Sequence, residues 1–248
     1  MSDNEFYIGH EEKAPPATVR FLRTRIGLLL IIAVVLGAGL AAMQSDFYPA
    51  FFDFGNPLTF TGRLDEDPVP ALVVSNSATP PQNVVLVGIG KHGAGPSISG
   101  RHGQTVELQG TRIKRENSKL MLELVPGSIR PSEVEAPPLP QPEPLGEWTL
   151  VGEIVDSKCY LGVMNPGEGK VHKACAINCI RGGIPPALRI NNGERELLLL
   201  LVNSLGEPIN DQILDRIAVP VRVSGEVERH GWWLVMKADP SNIRRLRR

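Results

Sequence analysis

Charge imbalance, cysteine and aromatic side chains are all scarce in this 248-residue chain. Lys and Arg number 26 against 27 Asp and Glu, so the formal net charge is −1. A chain this close to neutral is not held on nucleic acid by bulk electrostatics. Aromatics make up 5% of the residues, few for the stacking platforms that bind single strands, and no nucleic-acid partner is expected. Three cysteines are too few for a disulfide scaffold. The Cys-x-x-Cys-His signature of attached haem is missing. Apolar residues are not lacking: at 42% with almost no net charge they exclude a wholly disordered chain. Glycine (25) and proline (22) are abundant. Together they form about 19% of the chain against roughly 12% on average, which favours short strands and turns over long helices.

Ile26 to Met43 is an uncharged run of 18 residues, extended by Gln44 and Ser45. About 20 helical residues at 1.5 Å each span the hydrocarbon core of a bilayer, so residues 26–45 are read as a transmembrane helix. Arg20, Arg23 and Arg25 precede it and Asp46 follows. The basic flank stays in the cytoplasm, leaving residues 1–25 as a cytoplasmic tail and exporting the rest. A cleaved signal peptide is the rival reading. Its start is normally shorter and more basic, and its apolar stretch shorter, than those found here.

Residues 126–147 hold seven prolines. Such density fixes φ and removes amide donors, which predicts an extended linker over 131–147. The flanking segments, 57–130 and 148–248, resemble each other. Thr59-Phe60-Thr61-Gly62 matches Thr149-Leu150-Val151-Gly152, and Pro70-Ala71-Leu72 matches Pro186-Ala187-Leu188. The apolar run Val84 to Val87 matches Leu198 to Val202. Val106 to Gly110 matches Val221 to Gly225, and both halves close on Pro-x-x-Ile-Arg. From the Pro-Ala-Leu proline to the later glycine is 40 residues in one half and 39 in the other. From the opening glycine to that proline is 8 residues against 34, so the second half carries an insertion of about 26 residues, placed at 155–185. Alternating strands, with turns at Glu116-Asn117-Ser118 and His230-Gly231, predict a mainly β protein with two tandem small OB-like barrels. Trp232 and Trp233 are adjacent on one strand, so one should face the core and the other a contact surface.

All three cysteines lie in the insertion, as Cys159, Cys175 and Cys179, together with His172. Val171 to Ile180 reads as a short helix stopped by Gly182-Gly183. On it His172, Cys175 and Cys179 share one face, and the loop Asn165 to Lys170 can fold Cys159 back towards them. Three readings follow. Four soft ligands can hold a zinc, copper or iron ion. In an oxidising compartment Cys159 can instead pair with Cys175 or Cys179 as a structural staple. A thiolate activated by His172, with Asp156 as a candidate orienting group, could act as a nucleophile.

Around these residues, Gly152-Glu153-Ile154-Val155-Asp156-Ser157-Lys158-Cys159-Tyr160-Leu161, then His172-x-x-Cys175-Ala176-x-x-Cys179 and Gly182-Gly183-Ile184-Pro185, the chain resembles uncharacterised single-pass membrane proteins of proteobacteria. The resemblance implies an exported domain bearing the Cys/His motif and supplies no activity. The expected role is a periplasmic binding or assembly protein of the bacterial inner membrane, an accessory subunit of a membrane complex, possessing a Cys/His metal or disulfide site. Two alternatives stand beside it: a metal- or thiol-based redox protein or enzyme, and a structural adaptor stapled by a disulfide.

Gly88-Ile89-Gly90-Lys91-His92-Gly93 fits G-x-G-x-x-G. Ala94 to Gly100 cannot begin the helix that a dinucleotide site needs, so it reads as a strand-ending loop. His92 and His102 read as solvated, with a second metal or partner site as the alternative. Arg244, Arg245, Arg247 and Arg248 form a basic end, either solvated or suited to acidic headgroups.

Overall fold

The computed structural model describes residues 13–44, 50–76, 79–115, 119–192 and 196–246. The turn expected at 116–118, the last two arginines and the first twelve residues lie outside this set. Two compact units are present, one holding helix α1 (Pro16–Gln44) and the other a β-rich body. Helix α1 starts well before the apolar run and takes in Arg20, Arg23 and Arg25. Proline suits its first turn, where no amide donor is needed. Pro16–Met43 is long and apolar enough to cross a membrane.

The body contains two closed five-stranded barrels. In the first, β1 (Ala50–Phe52) is followed by β2 (Leu58–Asp65), β3 (Ala71–Asn76), β4 (Thr79–Val87), a helical turn α2 (Gly95–Ile98), β5 (Thr105–Arg115), β6 (Lys119–Leu124) and β7 (Arg130–Pro131). The ring runs β2-β3-β4-β6-β5 and closes on β2, with only β4 and β6 parallel. In the second, β8 (Glu143–Asp156) precedes helix α3 (Gly169–Arg181), β9 (Pro186–Asn191), β10 (Glu196–Val202), β11 (Pro220–His230), β12 (Trp233–Lys237) and β13 (Ile243–Arg245). Its ring, β8-β9-β10-β12-β11, has the same order and the same single parallel pair, β10 with β12. The matched sequence segments fall on equivalent strands. The two Pro-x-x-Ile-Arg motifs lead into β7 and β13, which pair with β5 and β11.

Matched glycines explain how each barrel closes. Strand β2 pairs with β5 up to Arg63 and with β3 from Arg63 onward, so it bends at Gly62. A Cβ there would stand 2.4 Å from the Val73 carbonyl oxygen. Strand β8 changes partner at Glu153, beside Gly152, where a Cβ would stand 2.3 Å from the Arg189 carbonyl oxygen. Only glycine allows the backbones to come this close.

The proline-rich segment behaves differently from a free spacer. Arg63 donates hydrogen bonds to the carbonyls of Pro137 (3.0 Å) and Ala136 (3.2 Å), fastening it to the first barrel. Strand β8 begins at Glu143, inside it. Nor do the barrels stand apart. Leu64, Leu72, Leu86 and Leu108 fill the first barrel, and Leu199, Leu201, Val223 and Met236 belong to the core of the second. A third cluster lies between them: Val85, Val87, Ile113 and Met121 from the first barrel meet Tyr160, Leu200, Val202 and Trp233 from the second. The runs Val84–Val87 and Leu198–Val202 are continuous rather than alternating because both faces of β4 and β10 are buried. Trp233, the first residue of β12, is 2% exposed and donates to the Asn83 carbonyl at 3.0 Å, whereas Trp232 lies not on the strand but in the turn before it and is 42% exposed.

Candidate metal centre

Between β8 and β9 the chain makes a wide turn at Cys159–Val163 and then forms α3. The turn buries Cys159, Tyr160 and Leu161. The Gly-Pro loop folds back over it so closely that a Cβ on Gly167 would lie 2.6 Å from the Tyr160 Cα. Helix α3 buries Ala176 and Ile180 in the core of the second barrel and leaves Val171 in solvent. This rotation turns His172, Cys175 and Cys179 towards Cys159.

All four expected ligands converge. A ring nitrogen of His172 and the sulfurs of Cys159 and Cys175 lie within 4.8 Å of one another, as do the sulfurs of Cys159 and Cys179 and a carboxylate oxygen of Asp156. The Cys175 and Cys179 sulfurs are 4.0 Å apart. All three cysteines are free thiols. Cys159, Cys179 and His172 are buried and Cys175 half-buried. Asp156, fully buried, accepts from His172 Nε2 at 2.9 Å through one oxygen and from the Cys159 amide at 2.7 Å through the other.

The thiols shift one another's titration. A hydrogen bond from Cys159 holds the Cys179 pKa below its ordinary value against the opposing effect of burial. The same bond, then burial, pushes Cys159 up. Burial and the neighbouring Cys179 raise Cys175. Burial works to lower Lys91, but thiolate charge and hydrogen bonding at Cys175, with Cys179 and Cys159 beyond it, hold its pKa above the usual lysine value. Lys91 was not among the expected site residues. It belongs to the Gly-rich loop of the first barrel, and no short-range signal links that loop to cysteines more than 60 residues away.

That loop is an interface rather than a phosphate cradle. The Gly93 amide donates to the Gly182 carbonyl at 2.9 Å. A Cβ on Gly182 would come within 1.8 Å of the Lys91 carbonyl oxygen, and one on Gly93 within 2.2 Å of the Gly183 carbonyl oxygen. Lys158, beside Cys159, crosses the same boundary. Its buried ammonium donates to the carbonyls of Gly88 (2.8 Å) and Gly90 (2.7 Å) and pairs with Glu123. On the other flank the Arg115 guanidinium stacks on the Tyr160 ring at 4.3 Å and reaches Glu196 at 3.6 Å. The centre thus sits on a seam built by both barrels.

His92 and His102 are exposed and take no part in the centre. His102 lies 3.6 Å from Asp65. Arg244 and Arg245 are exposed on β13. No known protein family matches the sequence, and no curated protein is found to be similar to it.

Proposed function

We propose that this is a membrane-anchored metal-binding protein, with α1 as the anchor and Cys159, His172, Cys175 and Cys179 as the ligands of one soft ion. One observation carries the reading: three thiols gather beside His172, two of them in one group with its ring, while a buried carboxylate holds His172 Nε2 and leaves Nδ1 to face an ion. Ligating histidines are oriented in this way. Sulfurs bound at 2.3 Å around a tetrahedral zinc stand about 3.8 Å apart, close to the 4.0 Å between Cys175 and Cys179 and far from disulfide contact. Zinc fits this set, and copper or iron also suits thiolate and imidazole.

The strand order supports reading both barrels as OB-type, with the segment bearing α3 as an insertion in the second. The basic residues ahead of α1 favour a cytoplasmic N-terminus and a periplasmic body in a bacterial inner membrane, in keeping with the single-pass membrane proteins of proteobacteria that the motif resembles. A complete set of four protein ligands leaves no open position for a substrate. This favours a binding or assembly role, as an accessory subunit of a membrane complex, over an enzyme.

Elemental analysis and thiol titration of the detergent-purified full chain test the centre. About one ion per chain is expected, with the thiols protected until a chelator removes it. Cys175→Ser should lose the ion and keep the β-sheet circular dichroism. A metal-free chain with a single reactive thiol would instead establish the stapled adaptor. A metal-free chain whose thiols cycle between oxidised and reduced forms would establish the redox alternative. Purification in mild detergent should recover partner subunits, and a chain that always runs alone would remove the subunit role.

A further inference from the structure

Aromatic residues are few, yet five of the thirteen, Phe47, Tyr48, Phe51, Phe52 and Phe54, fall within eight residues just after the apolar helix. Two of them stay largely open to solvent: Phe51 is 44% exposed and Phe54 78%, the latter ring lying against that of Phe52 with centroids 5.5 Å apart. Leaving large apolar side chains in water is unfavourable, by roughly 1.5–3 kcal/mol relative to burial for each. Clustered exposure of this kind marks an interaction surface.

The pairing of β1 with β5 defines what lies beside them. Phe51 faces Lys114 across the strands, and Phe52 faces Ile113. Ile113 is fully buried and Lys114 exposed, so the outer side of this edge combines an aromatic ring with a lysine. The one carboxylate between the phenylalanines, Asp53, is paired with Arg112 at 2.8 Å. The edge therefore presents apolar rings and a cation. That chemistry suits the boundary between acyl chains and anionic headgroups.

Tether length leads to the same occupant. Residues 45–49 separate the end of α1 from the start of β1. Six Cα steps reach at most about 20 Å, and the headgroup layer on each side of the hydrocarbon core is roughly 5–8 Å deep. We propose that the β1 edge, through Phe51, Phe54 and Lys114, is a lipid-docking surface that sits in the headgroup layer of the membrane crossed by α1. This inference rests on the membrane-anchored reading. It also bears on the Cys/His centre. The turn at Cys159–Val163 packs under β1 so tightly that a Cβ on Gly162 would stand 2.6 Å from the Phe51 carbonyl oxygen. Lipid docking would therefore hold Cys159 close to the membrane surface.

Tryptophan quenching by brominated phosphatidylcholine, in nanodiscs that also contain anionic lipid, tests this on the full chain. The readout is the difference from the parent protein, which carries its own three tryptophans. Phe54→Trp should be quenched about twofold, as a ring at the acyl boundary would be. Leu30→Trp, within α1, reports the anchor. Leu205→Trp replaces a residue 80% exposed on the second barrel and should be unaffected. Quenching at 30 and 54 but not at 205 supports the docking surface. Quenching at 30 without quenching at 54 overturns it and leaves the anchor intact. No quenching at 30 removes the anchor and this inference with it. Equal quenching at 54 and 205 also overturns it, because the body would then meet lipid without preference for this edge.

Discussion

Asp156 is the residue on which the centre turns. It binds no ion in the proposed set, but it fixes the His172 ring and receives the Cys159 amide, which makes it a positioning residue. Removing such a carboxylate typically costs about 10–100-fold in metal affinity. Asp156→Asn should therefore weaken zinc binding by that amount in chelator competition, with the β-sheet circular dichroism unchanged. Lys119 offers a pH test outside the proposed ligand set. Burial, aided by Arg229, lowers its pKa from 10.5 to about 8, although its ammonium lies 4.8 Å from the Trp233 ring centre and bonds the Trp232 carbonyl. A lysine depressed in the folded state disfavours folding while it is charged. The cost is full below about pH 8 and fades as pH rises through the unfolded value of 10.5. The stability gap between Lys119→Met and the parent, read from urea midpoints, should therefore shift in favour of the parent between pH 8 and 10.5. A pH-independent gap would show that the site does not depress this lysine.

At the scale of elements, the glycines of the two facing loops act as spacers. Gly182→Ala would place a carbon against the Lys91 backbone oxygen, and backbone cannot yield as a side-chain tip can. A cost of about 1–3 kcal/mol is expected, or roughly 2–4 °C of Tm per kcal/mol for a body of this size. Gly95→Ala, where nothing stands within 4 Å, should change Tm little. Calorimetry on the two variants checks both. The glycine pattern at 88–93 was visible in the sequence, and its misfit to a nucleotide motif was legible because the residues after it support only the four-residue turn α2 and no full helix. Its real use was not legible, because its partner, Gly182-Gly183, lies some 90 residues away and looked like an ordinary helix stop. Helix α3 itself was legible to within a residue or two, since propensity, spacing and the double glycine agreed.

For the whole molecule, the shared cluster decides behaviour. A barrel cut free at the linker would expose Val85, Val87, Ile113 and Met121 and leave Glu123 without Lys158. The body should thus unfold in one cooperative calorimetric transition, and an isolated 57–130 fragment should bind a hydrophobic dye and aggregate. Two separate transitions would show that the barrels are independent. The sequence by itself determined the apolar helix, the repeated strand pattern and the Cys/His set that clusters in the fold, because these rest on local periodicity and on spacing within one segment. Only the tertiary structure decided that the barrels share a core, that the proline-rich segment lies fastened along the first of them, and that Lys91 and Lys158 each reach across the seam to groups of the other barrel. Those features depend on which surfaces are buried against each other. The uninterrupted apolar runs of β4 and β10 were the one local trace of it, since a strand wet on one side would have alternated.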